Sequence, residues 1–351
     1  MKKLIIISTL VFFVSGLQFC SKSDTAPVAD GTELKPVLPS TVFDYVVTYP
    51  AHVQAALTAN DNTPADNPIT NDGATLGRVL FYDKQLSKDN KVSCGSCHKQ
   101  QFSFDDNVAL SAGVDGGLTT RNSMAILNVR FYKGGKMFWD ERAATLEKQA
   151  LQPIQNHVEM DLTLAQLETK VNALSYYPAL FQKAFGSTLI DSVRIAKALS
   201  QFERSIVTYQ SKYDRVKQGL ATFTAAEAQG EQLFLNAAAP NTCASCHTPP
   251  MFITSMPNAP FALLDAADLG INNENRFKSG SLRNIGTRTK LFHNGRIENL
   301  QAMLTPGGPG APPPIPNHTV AQQDVQNMLA FLNTLTDNTI TTEAKFSNPF
   351  P

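Results

Sequence analysis

The motifs Cys94-Gly-Ser-Cys97-His98 and Cys243-Ala-Ser-Cys246-His247 constrain this chain more than any other feature. Two thiols separated by two residues and followed at once by an imidazole form the attachment pattern of a c-type haem. The thiols reach the two vinyl groups of one macrocycle, and the histidine ligates the iron from the adjoining turn. A chain of 351 residues with five cysteines and six histidines should contain roughly 0.001 such motifs by chance. Cys-x-x-Cys also serves zinc sites and redox dithiols. A zinc site needs four converging ligands, whereas these motifs stand far apart, and it has no use for a histidine directly after each second cysteine. The sequence therefore predicts two covalently bound haems c, with His98 and His247 as iron ligands.

Four of the five cysteines are used in this way, so no pair is left for a structural disulfide. The fifth, Cys20, follows Lys2, Lys3 and an apolar stretch from Leu4 to Leu17 that is short for a membrane span. A lone cysteine there, ahead of Ser21-Lys22-Ser23-Asp24, fits a bacterial lipoprotein processing site, although Leu17-Gln18-Phe19 are larger than the usual preceding residues. The alternative is a cleaved protein with an incidental cysteine. Either reading exports the chain, and the expected location is the periplasm, with the membrane reached only through a lipid on Cys20. Lys plus Arg and Asp plus Glu are 30 each, so no nucleic acid partner is indicated.

Residues 1–20 thus read as the export signal and 21–40 as a polar, proline-containing tether, leaving enough chain for two domains. Ile195, Leu199, Phe202, Ile206 and Tyr209 recur at spacings of four and three, which predicts one apolar helix face closing the first domain. Thr224-Ala-Ala-Glu227 is a capping box that opens a helix leading to the second motif. Thr163-Leu-Ala-Gln166 and Thr319-Val-Ala-Gln322 resemble further caps, the latter opening a helix with Val325, Leu329 and Leu332 inward. Between Thr305 and Pro316, proline and glycine are too dense for helix. No convincing run alternates as strands do. The expected fold class is all-α: two cytochrome c-like haem domains, residues 41–220 and 221–337, followed by a tail, 338–351.

Further motifs carry a family resemblance. Leu76-Gly-Arg-Val-Leu-Phe81-Tyr-Asp83, Arg121-Asn122-Ser123, Phe138-Trp139-Asp140-Glu141-Arg142, Leu146-Glu147-Lys148-Gln149 and Glu159-Met160 flank the first haem motif. Arg276-Phe277-Lys278, Ser281-Leu282-Arg283-Asn284 and Phe292-His293-Asn294-Gly295 follow the second. In content and order they resemble the bacterial di-haem cytochrome c peroxidases and their MauG relatives, from about Leu76 to Leu335. The resemblance implies a peroxide-reducing haem in the first domain and an electron-transfer haem in the second. It also implies hydrogen peroxide as substrate, a small cytochrome c or cupredoxin as electron donor, and a homodimer.

Peroxide cleavage moves a proton from one oxygen to the leaving one, which a carboxyl of raised pKa in an apolar pocket can do. The resemblance gives that role to Glu159, that of the pocket amide to Gln149, and passage of electrons between the haems to Trp139, the single tryptophan. Asn122 matches a calcium-holding asparagine, with main-chain carbonyls near Arg288 and Lys290 as further ligands. His157 reads as a local hydrogen-bonding residue, and His52 and His318 are given no function.

The chain departs from the family pattern twice. Where many members carry a second histidine that blocks the peroxide face, this chain has Val114, so the first haem is expected to be open when oxidised. Where members place Met, or Tyr in the MauG type, as distal ligand of the second haem, this chain has Gly307. Met303, one helical turn earlier, is the candidate ligand, with His318, another methionine or no ligand as alternatives. The leading reading is a peroxidase that reduces hydrogen peroxide to water. A MauG-like peroxide-dependent oxidase of another substrate and a non-catalytic electron-transfer cytochrome are the alternatives.

Overall fold

Each Cys-x-x-Cys forms a single helical turn, and each half also holds one tightly packed crossing of two longer helices. The computed structural model describes residues 34–236, 243–254, 268–305 and 318–351, so Cys20 and Gly307 lie outside the described residues. In the first half run α1 (Ala51–Asn60), α2 (Asn71–Tyr82), α3 (Cys94–Cys97), α4 (Leu146–Ala150), α5 (Gln152–Gln155), α6 (Leu164–Ala173), α7 (Tyr177–Phe185) and α8 (Ser192–Ser205). The second half holds α9 (Lys212–Lys217), α10 (Ala225–Leu235), α11 (Cys243–Cys246), α12 (Leu300–Leu304) and α13 (Val325–Asn333). Among the described residues there are isolated β-bridges and no sheet, in keeping with an all-α fold. None of their helices is long and apolar enough to cross a membrane.

The two halves correspond residue by residue at their main helix crossings. Where α2 meets α8, a Cβ on Gly77 would lie 2.0 Å from the Ala198 carbonyl oxygen; where α10 meets α13, one on Gly230 would lie 2.0 Å from that of Asn327. Ser205 and Thr334 each return a hydroxyl to the carbonyl three residues earlier, on Phe202 and Phe331, at 2.6 Å. Asn128 and Asn284 are both left-handed, and their N–H groups bond the Ile206 and Leu335 carbonyls at 3.0 and 3.2 Å. Phe138 and Phe292 share a φ of 70°, each inside a loop closed by a bridge, Met137 with Ala143 and Leu291 with Ile297. Phe202 therefore corresponds to Phe331, and each lies in its own buried cluster.

Local sequence signals set most helix starts. Thr163 and Thr224 form the expected capping boxes with Gln166 and Glu227, and Asp191 caps α8 by accepting the Arg194 N–H at 2.7 Å. Helix α8 stops at Ser205, short of Ile206 and Tyr209. Tyr209 instead packs edge-on against Tyr49, at 5.2 Å, in a third cluster that also holds Met251 and Ile253. Thr319 caps nothing: a 3₁₀ turn, Gln322–Asp324, precedes α13, whose apolar face begins at Val325. Residues 338–351, read as a tail, return to the first core. Phe346 packs among Tyr45, Phe104 and Phe202, and its carbonyl accepts the Tyr82 hydroxyl at 2.7 Å.

A buried ion pair within the second half holds α1 of the first. Arg283 and Asp214, both with fully buried side chains, meet through two contacts of 2.7 and 2.8 Å, and His52 of α1 reaches Asp214 at 2.8 Å. Burial pushes the Asp214 carboxyl up, but Arg283 and hydrogen bonds from His52 and Ser211 pull it further down, leaving it below the usual carboxylate range. Its stabilisation is therefore complete above the ordinary carboxylate pKa of about 4 and is lost as pH falls through the depressed folded value. Asp214→Asn strands Arg283 without its charge partner and should cost about 3–5 kcal/mol. Thermal unfolding at neutral pH checks this; a melting temperature equal to the parent's refutes it.

Candidate functional site

Two cavities flank the middle of the molecule, one for each motif. His98, at the end of α3, borders the first, an open space of about 1990 Å³. Trp139, Gln149, Glu159 and His157 border the same cavity, joined by Arg142 and Glu203. Cys243, Cys246 and His247 border the second, together with Met303, His318 and Met328. Met303 and His318, rival ligand candidates in the sequence, thus face one space.

The donor sets suit haem c. The four motif cysteines are free and half-buried, and burial raises the thiols of Cys94, Cys97 and Cys243. His98 Nδ1 lies 3.3 Å from the Phe104 carbonyl, an arrangement that leaves Nε2 for a metal. The pKa of His98 is lowered by burial, and that of His247 falls to about 3 through burial and then the charge of His318, so both rings are neutral, as iron ligands must be. Among the described residues no three His, Cys, Asp or Glu side chains gather to hold a metal ion, so the motifs do not converge as a zinc site.

Local structure brings Glu159 to its wall. Thr145 caps α4, which presents Gln149; α5 follows, and the chain turns at Asn156, whose carbonyl accepts the Glu159 N–H at 3.1 Å. The Glu159 carbonyl then accepts the Val114 N–H at 3.1 Å. Beside it Gly113 is packed so closely that a Cβ would stand 1.9 Å from the Val158 oxygen. Val114 is 3% exposed and belongs to the first core. Burial raises the Glu159 carboxyl above its ordinary value, with Arg142 opposing.

Between the cavities stands a shared wall that includes Asn122, Trp139, Lys278 and His293. Trp139 and His293 each follow the left-handed phenylalanine of their loop. The halves bond reciprocally there: Lys278 N–H to the Trp139 carbonyl at 2.8 Å, and Asn122 N–H to the His293 carbonyl at 2.7 Å. The Trp139 indole N–H donates to the Asn122 carbonyl at 2.7 Å, and His293 stacks on Phe277 at 3.8 Å. Arg121 joins the wall by a bidentate pair with Asp268, at 2.7 and 2.8 Å, and a 2.6 Å contact with Asp140. Burial lowers the Lys278 amine to about 7, against the pull of Glu141. Asn122, Arg288 and Lys290 all border the second cavity; the amide of Asn122 donates to the Val108 and Ala109 carbonyls at 3.1 and 3.0 Å.

Comparison with known proteins agrees with this arrangement. Residues 71–222 match the family described as di-haem cytochrome c peroxidase. The chain is 33% identical over 299 residues to cytochrome c551 peroxidase of Nitrosomonas europaea, covering 82% of this chain and 86% of that one. This chain belongs to the di-haem cytochrome c peroxidase family. As such it is an oxidoreductase of the peroxidase class, and haem c is its implied cofactor. It is also 29% identical over 250 residues to the methylamine utilization protein MauG of Methylophilus methylotrophus, covering 69% of this chain and 73% of that one. Among solved structures, a MauG-like protein associated with microbial copper homeostasis is 28% identical, with a TM-score of 0.70, over 83% of this chain and 96% of that one.

Sequence reading missed Glu203, the role of His293 in the wall, and the Arg121–Asp268 pair. One signal was there: Leu199, Phe202, Glu203 and Ile206 fall at i, i+3, i+4 and i+7, which places a carboxyl inside an apolar stripe. Replacing Cys243 and Cys246 by Ser should leave one covalent haem per chain, as should replacing Cys94 and Cys97. Intact mass after haem-loading expression checks both, and two haems retained in either variant would contradict the assignment.

Proposed function

We propose that this enzyme reduces hydrogen peroxide to water at the first cavity, with electrons from a small cytochrome c or cupredoxin received at the second. The observation that supports this best is the meeting of His98, Gln149 and Glu159 on one cavity, separated from the second by a wall containing Trp139. The bound haems supply peroxide reduction at the first cavity and electron storage at the second. Glu159 takes the proton from one peroxide oxygen and returns it to the other. Gln149 orients the peroxide by hydrogen bonding. Trp139, fixed through its N–H and carbonyl, lies on the route between the cavities.

Residues 41–220 form the peroxidatic domain in this reading and 221–337 the electron-transfer domain. Asn122 and the main-chain carbonyls of Arg288 and Lys290 would hold a calcium ion in this reading. The protein is exported, anchored in the periplasm through Cys20 and paired as a homodimer. Val114 stands where many members carry the blocking histidine, cannot ligate iron and is buried in the core, which supports a resting enzyme that is already open. The untreated, fully oxidised holoenzyme should therefore oxidise reduced small cytochrome with peroxide, and Glu159→Gln should lower that turnover about a hundredfold or more. Turnover that appears only after pre-reduction refutes the open resting state. Absence of turnover in both states sinks the peroxidase reading in favour of oxidation of another substrate or electron transfer alone.

Met303 would help hold the second haem in this reading, because it borders the same cavity as His247. Loss of a thioether lowers a haem potential. Met303→Ala should lower the potential of the second haem in a spectroelectrochemical titration while His318→Ala leaves it near the parent value; the reverse result transfers the role to His318.

A further inference from the structure

Helix α8 carries a carboxyl group that none of the roles above uses. Glu203 is 4% exposed, borders the first cavity, and has no hydrogen-bond partner at Oε2. Its neighbour Arg204 is engaged elsewhere, with Glu147 at 2.6 Å and Asn62 at 2.9 Å. An unpaired buried carboxyl opposes folding, so packing alone does not account for it.

The second half shows what packing alone selects. The correspondence of Ala198 with Asn327, Phe202 with Phe331 and Ser205 with Thr334 sets Glu203 opposite Leu332. Leu332 is 3% exposed and borders the second cavity. The same place on the same helix, against the same kind of cavity, thus holds a leucine in one half and a carboxyl in the other. The half with the carboxyl is the half with Glu159.

We propose that Glu203 is a second proton-carrying group of the first cavity, delivering from solvent the protons that peroxide reduction consumes. The proposal rests on the peroxidase reading. Reduction of one hydrogen peroxide breaks its O–O bond, takes two electrons from the donor protein and two protons from solvent, and releases two waters. Glu159 moves a proton between the peroxide oxygens, which leaves the net count unchanged; the consumed protons must enter from outside. Glu203 gives its carboxyl proton to the cavity, regains one from solvent and ends each cycle as it began. Burial raises this carboxyl to about 8, with Arg204 opposing and Glu147 adding, so it is protonated at neutral pH.

The test uses holoenzyme carrying Glu203→Gln and, separately, Glu203→Leu, the residue that the second half holds. Both should retain two covalent haems, and Glu203→Leu should melt at or above the parent temperature. Turnover with reduced cytochrome should fall about tenfold or more in both, with a larger solvent deuterium isotope effect, and Glu203→Asp should recover part of it. Parent-like turnover and isotope effect in Glu203→Gln overturn the proposal while leaving the peroxidase reading intact. So does a loss of turnover that follows a lowered melting temperature with an unchanged isotope effect, which marks a structural role. If the parent reduces no peroxide, the peroxidase reading itself fails and the proposal falls with it.

Discussion

A helix crossing with no room for a Cβ organises both halves of this protein. Gly77 on Ala198 and Gly230 on Asn327 bring backbone against backbone, so α8 is held at one depth and rotation against α2, and α13 against α10. At that depth Phe202 and Phe331 fill the cores, and the next residue of each helix, Glu203 or Leu332, meets a cavity. A larger residue at either glycine would force backbones apart in an interior packed as densely as a crystal. Much of what distinguishes the two cavities is thus decided by single side chains presented from a shared frame.

The wall between the cavities follows from the same repetition. Each half contributes a loop with a left-handed phenylalanine, and each loop bonds the main chain of the other half, Lys278 to Trp139 and Asn122 to His293. Because each loop is held by the opposite half, the rings of Trp139 and His293 are positioned by backbone hydrogen bonds rather than by side-chain packing alone. His52 of α1 on the buried Asp214–Arg283 pair, and the return of 338–351 to the first core, add two further ties across the molecule.

Several features were legible in the chain because their physics is local. The Thr163 and Thr224 caps lie within four residues of their partners, and the spacing from Ile195 to Phe202 falls on one turn-by-turn face. Thr319 misled because a cap depends on where the following helix begins, and the 3₁₀ turn before Val325 moves that start. Tyr209 misled because it continues the spacing after the helix has ended, and Tyr49, far away in the chain, recruits it. Glu203 was hidden in a stripe read for its apolar members, since the pattern shows that a carboxyl faces inward but not what it faces.

The sequence by itself determined where haem is attached, since attachment needs two thiols and an imidazole within five consecutive residues, and it carried the motifs by which the family is known. Tertiary structure alone decided which distant residues share a cavity. Glu159 and Glu203 are ordinary carboxyls in the chain; burial on the His98 cavity, produced by α5, α8 and the Gly113 turn together, raises both and gives them something to act on. Desolvation is a property of the assembled surroundings, and no stretch of sequence contains it.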